Sequence, residues 1–223
     1  MSMNSMPMPS MSINRRKFLT LASVVVLTLS ACSEAPKFTT LPKDSTVIAL
    51  GDSLTYGYGA TTDTAYPKIL AQKTGWKVLN EGISGDTSED VLNRLDGIIQ
   101  QNPDLVLLGV GGNDVLQRIQ PTTTKANLDT ILTKLKNEHI PVVLLTEPHF
   151  SASALFGKAS DNPIYAELSE NHDVPLFTSK MGGWSEILSD ESLKSDKIHA
   201  NEAGYRQFAN NLYAYLQEIG YVS

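Results

Sequence analysis

What most constrains this chain is an alternation of short apolar runs with longer amphipathic stretches. Residues 47–50, 76–79, 105–110 and 142–145 read as strands, with a weaker one at 175–177. Between and after them, residues 66–73, 88–101, 124–138, 163–171 and 201–219 carry the spacing of helices. Asn102-Pro103, His139-Ile140-Pro141 and Asp173-Val174-Pro175 punctuate helix ends ahead of strands. A run as apolar as "LVLLGV" suits a strand buried on both faces, which is the condition of a parallel sheet covered by helices. The expected fold is therefore α/β, a three-layer sandwich around a mostly parallel sheet of about five strands. In such sheets ligands bind outside the carboxyl ends of the strands, so the loops after the strands are where chemistry is sought.

Composition narrows the function. With 223 residues, 41% of them hydrophobic and 19% charged, the chain can bury one sizeable core. Its net charge of −6 argues against a nucleic-acid partner, because neutralising phosphates requires a basic face. Neither zinc-type Cys/His spacing, nor a phosphate-binding Walker loop, nor a repeat of 20 to 50 residues is found.

The amino-terminal part differs from the rest. Arg15, Arg16 and Lys17 precede an apolar run over residues 18–29, followed by Ser30, Ala31 and Cys32. A basic stretch, a short apolar core and small residues make an export signal, and the run is too short to span a bilayer comfortably. "NRRKFLT" resembles a twin-arginine signal with Asn14 in place of the usual Ser or Thr, so Sec and Tat export both stay open. "LSAC" resembles the bacterial lipoprotein box, which implies that Cys32 is acylated and becomes the mature terminus. The other reading is that Cys32 merely lies beside an ordinary cleavage site. As the sole cysteine it excludes an intramolecular disulfide. The expected organisation is a signal peptide at 1–31, a polar tether at 32–45 and a domain at 46–223. The expected location is the cell envelope or periplasm, with the membrane reached through acylated Cys32.

Four loops carry residues able to do chemistry. Ser53 follows the first strand in "GDSLTYGYG", where it is either a helix cap or a nucleophile. The second loop offers Gly82, Ser84, Gly85 and Asp86, then Thr87 and Ser88, which can cap the next helix. Glycine there can present a backbone N–H to a reacting oxygen, and Asp86 and Glu89 read as favourable charges at the helix's positive end. "GVGGND" lacks the last glycine of a dinucleotide fingerprint, since Asp114 stands there, and it lacks the Walker lysine. Its Asn113 is a turn former or an oxyanion donor.

A nucleophilic serine needs a base, and the base needs an orienting group. Of the four histidines, His139 and His172 fall at expected helix ends, where solvated or dipole-stabilising roles suffice. His149 follows a strand with Glu147 two residues before it, and His199 follows Asp196 by three ahead of a helix starting near Asn201. Either pair has the residue types of a base and its orienter.

Taken together, "GDSLTYGYG", "EGISGDTSEDVLNRL", "GVGGND" and "DKIHANEAGY" resemble, in order, the conserved blocks of the GDSL, or SGNH, serine hydrolases. The likeness runs from about Val47 to Tyr215 and is greatest to the bacterial thioesterase, arylesterase and lysophospholipase branch. It implies a flavodoxin-like fold with Ser53 as nucleophile, His199 as base and Asp196 as its orienter. It further implies an oxyanion hole made by Ser53, Gly85 and Asn113, with no metal or cofactor. Leu54 after the nucleophile agrees with the family, Ala200 stands where many members have proline, and Asp52 reads as a structural acceptor in the turn.

The implied reaction is hydrolysis of carboxylic esters or thioesters through an acyl-enzyme, on aryl esters, short-to-medium acyl esters, lysophospholipids or acyl-CoA. A carbohydrate or peptidoglycan O-deacetylase of the same fold is the nearest alternative, and a non-catalytic lipoprotein binding module is the alternative of another class. Val115, Leu116, Ile119, Phe150, Leu155 and Phe156 are expected either to line an apolar cleft or to pack in the core. The sequence assigns no oligomeric state.

Overall fold

A computed structural model describes residues 38–149 and 159–223. The expected signal peptide, Cys32 and the tether up to residue 37 lie outside the described residues, as do Phe150, Leu155 and Phe156. The described residues all fall within one compact unit, Pro36–Ser223.

Five strands are described: β1 (Thr46–Gly51), β2 (Lys77–Gly82), β3 (Leu105–Gly109), β4 (Val142–Leu145) and β5 (Leu176–Phe177). They form one sheet in the order β2-β1-β3-β4-β5, and every adjacent pair is parallel. Eight helices accompany them among the described residues: α1 (Ser53–Tyr56), α2 (Tyr66–Thr74), α3 (Ser88–Ile99), α4 (Gly112–Leu116), α5 (Pro121–Asn137), α6 (Ile164–His172), α7 (Trp184–Ile187) and α8 (Glu202–Glu218).

Alternate strand residues feed opposite layers, as the pleat requires. Val47, Ala49, Leu105 and Leu107 pack with Tyr66 and Leu70 of α2, Trp184 of α7 and Phe208 of α8. Ile48, Leu50, Val106 and Leu108 pack on the other side with Leu95 of α3, Ile131 of α5 and Tyr165 of α6. Because both faces are covered, β1 and β3 are buried almost throughout, which is why they read as apolar runs.

The departures from expectation have local causes. Strand β2 runs on to Gly82 through polar Asn80 and Glu81, because its backbone stays paired with β1 from Thr46↔Lys77 to Gly51↔Gly82. It lies at the sheet edge, where side chains need not be apolar. Helix α5 begins at Pro121, three residues early, since proline is pre-set for a first helical position and gives up only an N–H that would lack a partner there.

Part of the stretch expected to be a tether is docked instead. The amides of Phe38 and Leu41 donate to the carbonyls of Ile219 and Tyr221, each at 3.0 Å, and the Thr40 hydroxyl donates to the Gly220 carbonyl at 2.9 Å. The Phe38 ring stacks on Tyr221 with centroids 4.8 Å apart. Two apolar side chains with a carboxyl-terminal edge to bind are enough to hold residues from 38 onward against the domain. No helix among the described residues is long and apolar enough to cross a membrane.

Candidate active site

The order 2-1-3-4-5 reverses direction between β1 and β3, and that switch point is where a crevice opens at the carboxyl ends of the strands. Gly51 ends β1 there, and a Cβ on it would sit 2.0 Å from the Gly109 carbonyl oxygen, so only glycine lets the two strand ends close up. The chain then turns into the single-turn helix α1. Its N-cap is Asp52, whose Oδ1 accepts the Leu54 amide at 3.0 Å. Capping is therefore done by the acid, and the Ser53 hydroxyl at the first helical position is left to face the cleft.

That hydroxyl lies 3.0 Å from His199 Nε2. On the other side of the ring, Nδ1 lies 2.8 Å from Asp196 Oδ2. A carboxylate can only accept, so Nδ1 carries the proton and Nε2 is left to accept from Ser53. Asp196 Oδ1 in turn accepts the amides of Ile198 at 2.9 Å and His199 at 2.8 Å. Partial burial works against the Asp196 charge, but hydrogen bonds from the His199 ring and the two amides outweigh it and hold its pKa below the usual carboxylate value.

The loop that carries this pair is tied to itself. Ser195 donates its amide to the His199 carbonyl at 3.0 Å, and Asn201 donates its own to Leu193 at 2.8 Å. The Asn201 side chain donates to Ser192 and Lys194 carbonyls and accepts the Gly204 amide at 3.0 Å as the N-cap of α8. Ala200 is fully buried within this arrangement, so the loop is held closed without a proline. The Tyr58 ring lies against His199 with centroids 4.4 Å apart, and its carbonyl accepts the Tyr205 hydroxyl.

Asn113 of α4 lines the same cleft. Its amide nitrogen donates to the Asp86 carbonyl at 2.9 Å and stands 3.5 Å from Asp52 Oδ2. Gly85 occupies a turn in which the Asp86 amide donates to the Ile83 carbonyl at 3.1 Å, and its φ of 94° is a conformation that favours glycine. Gly85 is not among the residues that line the cleft itself; it lies one residue from the carbonyl that holds Asn113.

Two connections around this loop leave no trace in the sequence. Arg94 of α3 pairs with Asp86 at 2.8 Å and donates to the carbonyls of Gly51 at 3.1 Å and Glu81 at 2.9 Å, which binds the ends of β1 and β2 to the Gly85 turn. Asp86, expected to complement the helix dipole, is thus an ion-pair partner. Asp114, almost fully buried, accepts the Ser88 amide at 2.8 Å and its hydroxyl at 2.5 Å, clasping the third loop to the start of α3. Thr87 does cap α3, in a reciprocal box with Asp90.

The remaining histidines stay out of the site. His172 pairs with Asp129 at 2.8 Å, and His139 follows α5 with a φ of 57°. Glu147 and His149 do not form a pair: both Glu147 carboxyl oxygens and His149 Nδ1 are buried without a hydrogen-bond partner. His149 borders a neighbouring hollow of about 800 Å³ with Val115 and Ile119. Leu116 lines the Ser53 cleft, which is smaller, at about 220 Å³. Glu147 lines the Ser53 cleft as well, together with Asp52. Burial pushes the Asp52 carboxyl up to about 7, with the Leu54 amide opposing and the Asp114 and Asp86 charges adding. Burial, then the Asp52 charge, push Glu147 well above the usual carboxylate range. Among the described residues no group of three or more His, Cys, Asp or Glu is disposed to hold a metal ion.

Residues 49–207 match the GDSL-like Lipase/Acylhydrolase family, a stretch that contains Ser53, Gly85, Asn113, Asp196 and His199. The thioesterase 1/protease 1/lysophospholipase L1 of Escherichia coli strain K12 is 35% identical over 163 residues, 70% of this chain and 76% of that protein. An arylesterase of Vibrio mimicus is 30% identical over 185 residues, 78% of this chain and 87% of its own. In fold, the psychrotrophic esterase EstA of Pseudoalteromonas sp., solved inhibited by monoethylphosphonate, superposes with a TM-score of 0.66 at 24% identity. That match covers 78% of this chain and 98% of EstA. Agreement of this extent, in sequence over most of the chain and in fold over nearly all of a solved relative, makes the chain a member of the GDSL-like lipase/acylhydrolase family.

Proposed function

We propose that the chain is a serine esterase that hydrolyses carboxylic esters or thioesters through an acyl-enzyme. The observation that carries this reading is the unbroken line of hydrogen bonds from Ser53 through His199 to Asp196 at the mouth of the sheet. His199 Nε2 takes the Ser53 proton as Oγ attacks the acyl carbonyl, and Asp196 stabilises the imidazolium that results. The imidazolium returns the proton to the leaving alcohol or thiol. Water, deprotonated by the same nitrogen, then releases the acid and regenerates Ser53.

The tetrahedral oxyanion is assigned to the amides of Ser53 and Gly85 and the Asn113 side chain. Asn113 has two amide hydrogens. The nitrogen donates one to the Asp86 carbonyl at 2.9 Å, and its 3.5 Å separation from Asp52 Oδ2 is too long to commit the other. A binding module without activity has no use for a hydroxyl aimed at a carboxylate-oriented imidazole, and this arrangement favours the enzyme.

For substrate, the small cleft and the exposed Leu116 beside it favour aryl esters and short-to-medium acyl groups, with the neighbouring hollow open to a longer chain. The names of the relatives extend the range to lysophospholipids and acyl thioesters. A panel of p-nitrophenyl esters, acetylated polysaccharide and acyl-CoA tests this. Preference for polymer-bound acetate over every simple ester would instead establish an O-deacetylase. The signal-like sequence before residue 32 supports export, and "LSAC" supports an envelope location with the membrane reached through acylated Cys32.

A further inference from the structure

The reaction above leaves one pair of buried carboxyls unused. Asp52 and Glu147 both line the Ser53 cleft and are 2% and 1% exposed. Their hydrogen bonding is unequal. Asp52 Oδ1 is satisfied by the Leu54 amide, whereas Oδ2 has only the 3.5 Å approach of Asn113. Glu147 has no partner at either oxygen. An ionised carboxylate with no donor is among the costliest groups a core can hold, but a neutral acid carries a donor of its own.

No hydrogen bond to Glu147 among the described residues supplies that donor. Among the described residues no ion pair includes either carboxyl. Asp114 of α4 and Asp86 of the loop after β2 add negative charge, and Arg94 is committed to Asp86. The charges of the pair also act on the buried phenols of Tyr66, Tyr165 and Tyr205, from α2, α6 and α8, raising them. The Tyr165 and Tyr205 hydroxyls donate to the Val110 and Tyr58 carbonyls, whereas the Tyr66 hydroxyl has only a 3.5 Å approach to Thr55. Glu147 Oε1 lies over Gly109 at the end of β3, 3.1 Å from where a Cβ on that glycine would stand.

We infer that Glu147 is a positioning residue for the oxyanion donor: it holds the one proton of the Asp52–Glu147 pair and donates it to Asp52 Oδ2. Satisfied in this way, the Asp52 anion does not compete for the second amide hydrogen of Asn113, which stays turned toward the substrate carbonyl. Without the donor, that hydrogen is the nearest remedy for a buried anion, and the oxyanion loses it. Burial and charge favour the same arrangement, since Glu147 is held well above the usual range while Asp52 is raised only to about 7. The link to Asn113 rests on the proposed esterase mechanism, whereas the placement of the proton does not.

Infrared spectroscopy of the purified protein at about pH 8 tests that placement directly, because a protonated carboxyl has its own carbonyl band that shifts in heavy water. The wild type is expected to show the band and Glu147→Gln to lack it. Kinetics test the consequence. Glu147→Gln, whose amide still donates, is expected to keep kcat within about threefold, and Glu147→Met, of similar length without a donor, to lower kcat by about tenfold or more at unchanged KM. A wild type without the band, a band that survives in Glu147→Gln, or a Met variant as active as the Gln variant would overturn the inference. The infrared comparison needs only the Gln variant and no turnover, so a failure of the esterase reading would leave it intact and be seen separately as an inactive wild type.

Discussion

Ser53 Oγ stands 3.0 Å from His199 Nε2 across a sequence separation of 146 residues, and the same ring is fixed from behind by Asp196 at 2.8 Å. The two ends of the domain thus meet in one hydrogen bond, while among the described residues no ion pair joins His149, on the loop after β4, to a carboxylate, and its Nδ1 is buried without a hydrogen-bond partner. His199→Ala is expected to lower kcat for a p-nitrophenyl ester by about 10⁴-fold or more, and His149→Ala to leave it within about threefold. Steady-state kinetics on the two variants check this. Reversed results would make Glu147 and His149 the working pair.

Asn113 is held by the Asp86 carbonyl in the resting site, and its remaining hydrogen is assigned to the oxyanion. A donor that strengthens only as charge develops contributes to kcat and little to KM. Asn113→Ala is therefore expected to reduce kcat by about 10²–10³-fold at nearly constant KM. A change confined to KM would remove Asn113 from the oxyanion hole.

Much of this was legible in the chain because burial on two faces leaves a continuous apolar signature: β1, β3 and β4 are such runs. The polar end of β2 was not, since backbone pairing with β1 determines it and not the side chains of Asn80 and Glu81. Helices α1, α4 and α7 are four or five residues long and too short to carry a period. At the site, Ser53, Asn113, Asp196 and His199 stand out because they are chemical residue types just beyond strands or just before a helix. Arg94, the Ser88–Asp114 clasp and Glu147 do not, because each takes its meaning from a different loop brought close only by folding. Spacing alone left Glu147-x-His149 and Asp196-x-x-His199 open; the resemblance of "DKIHANEAGY" to the family's last block favoured the second pair, and in the fold it is His199 that lies between Ser53 and Asp196.

The buried Glu147 should leave a mark on stability. Its carboxyl is raised above its ordinary 4.5 in the folded chain by burial and by Asp52, so above that pH the folded state holds a proton that the unfolded state has released. Stability is then complete below about pH 4.5 and declines as pH rises toward the folded value. Glu147→Gln removes this term. Urea denaturation is expected to find the variant increasingly more stable than wild type as pH rises from about 4 to about 8, by at most about 1.4 kcal/mol per pH unit. A difference that is constant over this range would mean Glu147 ionises alike in both states.

Cys32 tests location separately from chemistry. An acylated cysteine adds about 0.8 kcal/mol per buried methylene, so several chains hold a protein firmly in a bilayer. Cys32→Ser is expected to move the protein from the membrane to the soluble fraction or to leave the precursor unprocessed, and a domain from about residue 37 onward is expected to keep its esterase activity. Mass spectrometry of the native amino terminus decides between readings, because an unmodified cysteine or cleavage elsewhere would make the "LSAC" match accidental.

Ser53 is assigned as the nucleophile, activated by His199 and Asp196. Incubation of the exported protein with a fluorophosphonate, followed by peptide mass spectrometry, addresses this assignment most directly, because only an activated serine reacts with such a reagent at neutral pH. One adduct per chain, located on Ser53 and lost together with ester hydrolysis in Ser53→Ala and His199→Ala, is the predicted result. Labelling at another serine, or undiminished hydrolysis by a folded Ser53→Ala variant, would contradict it.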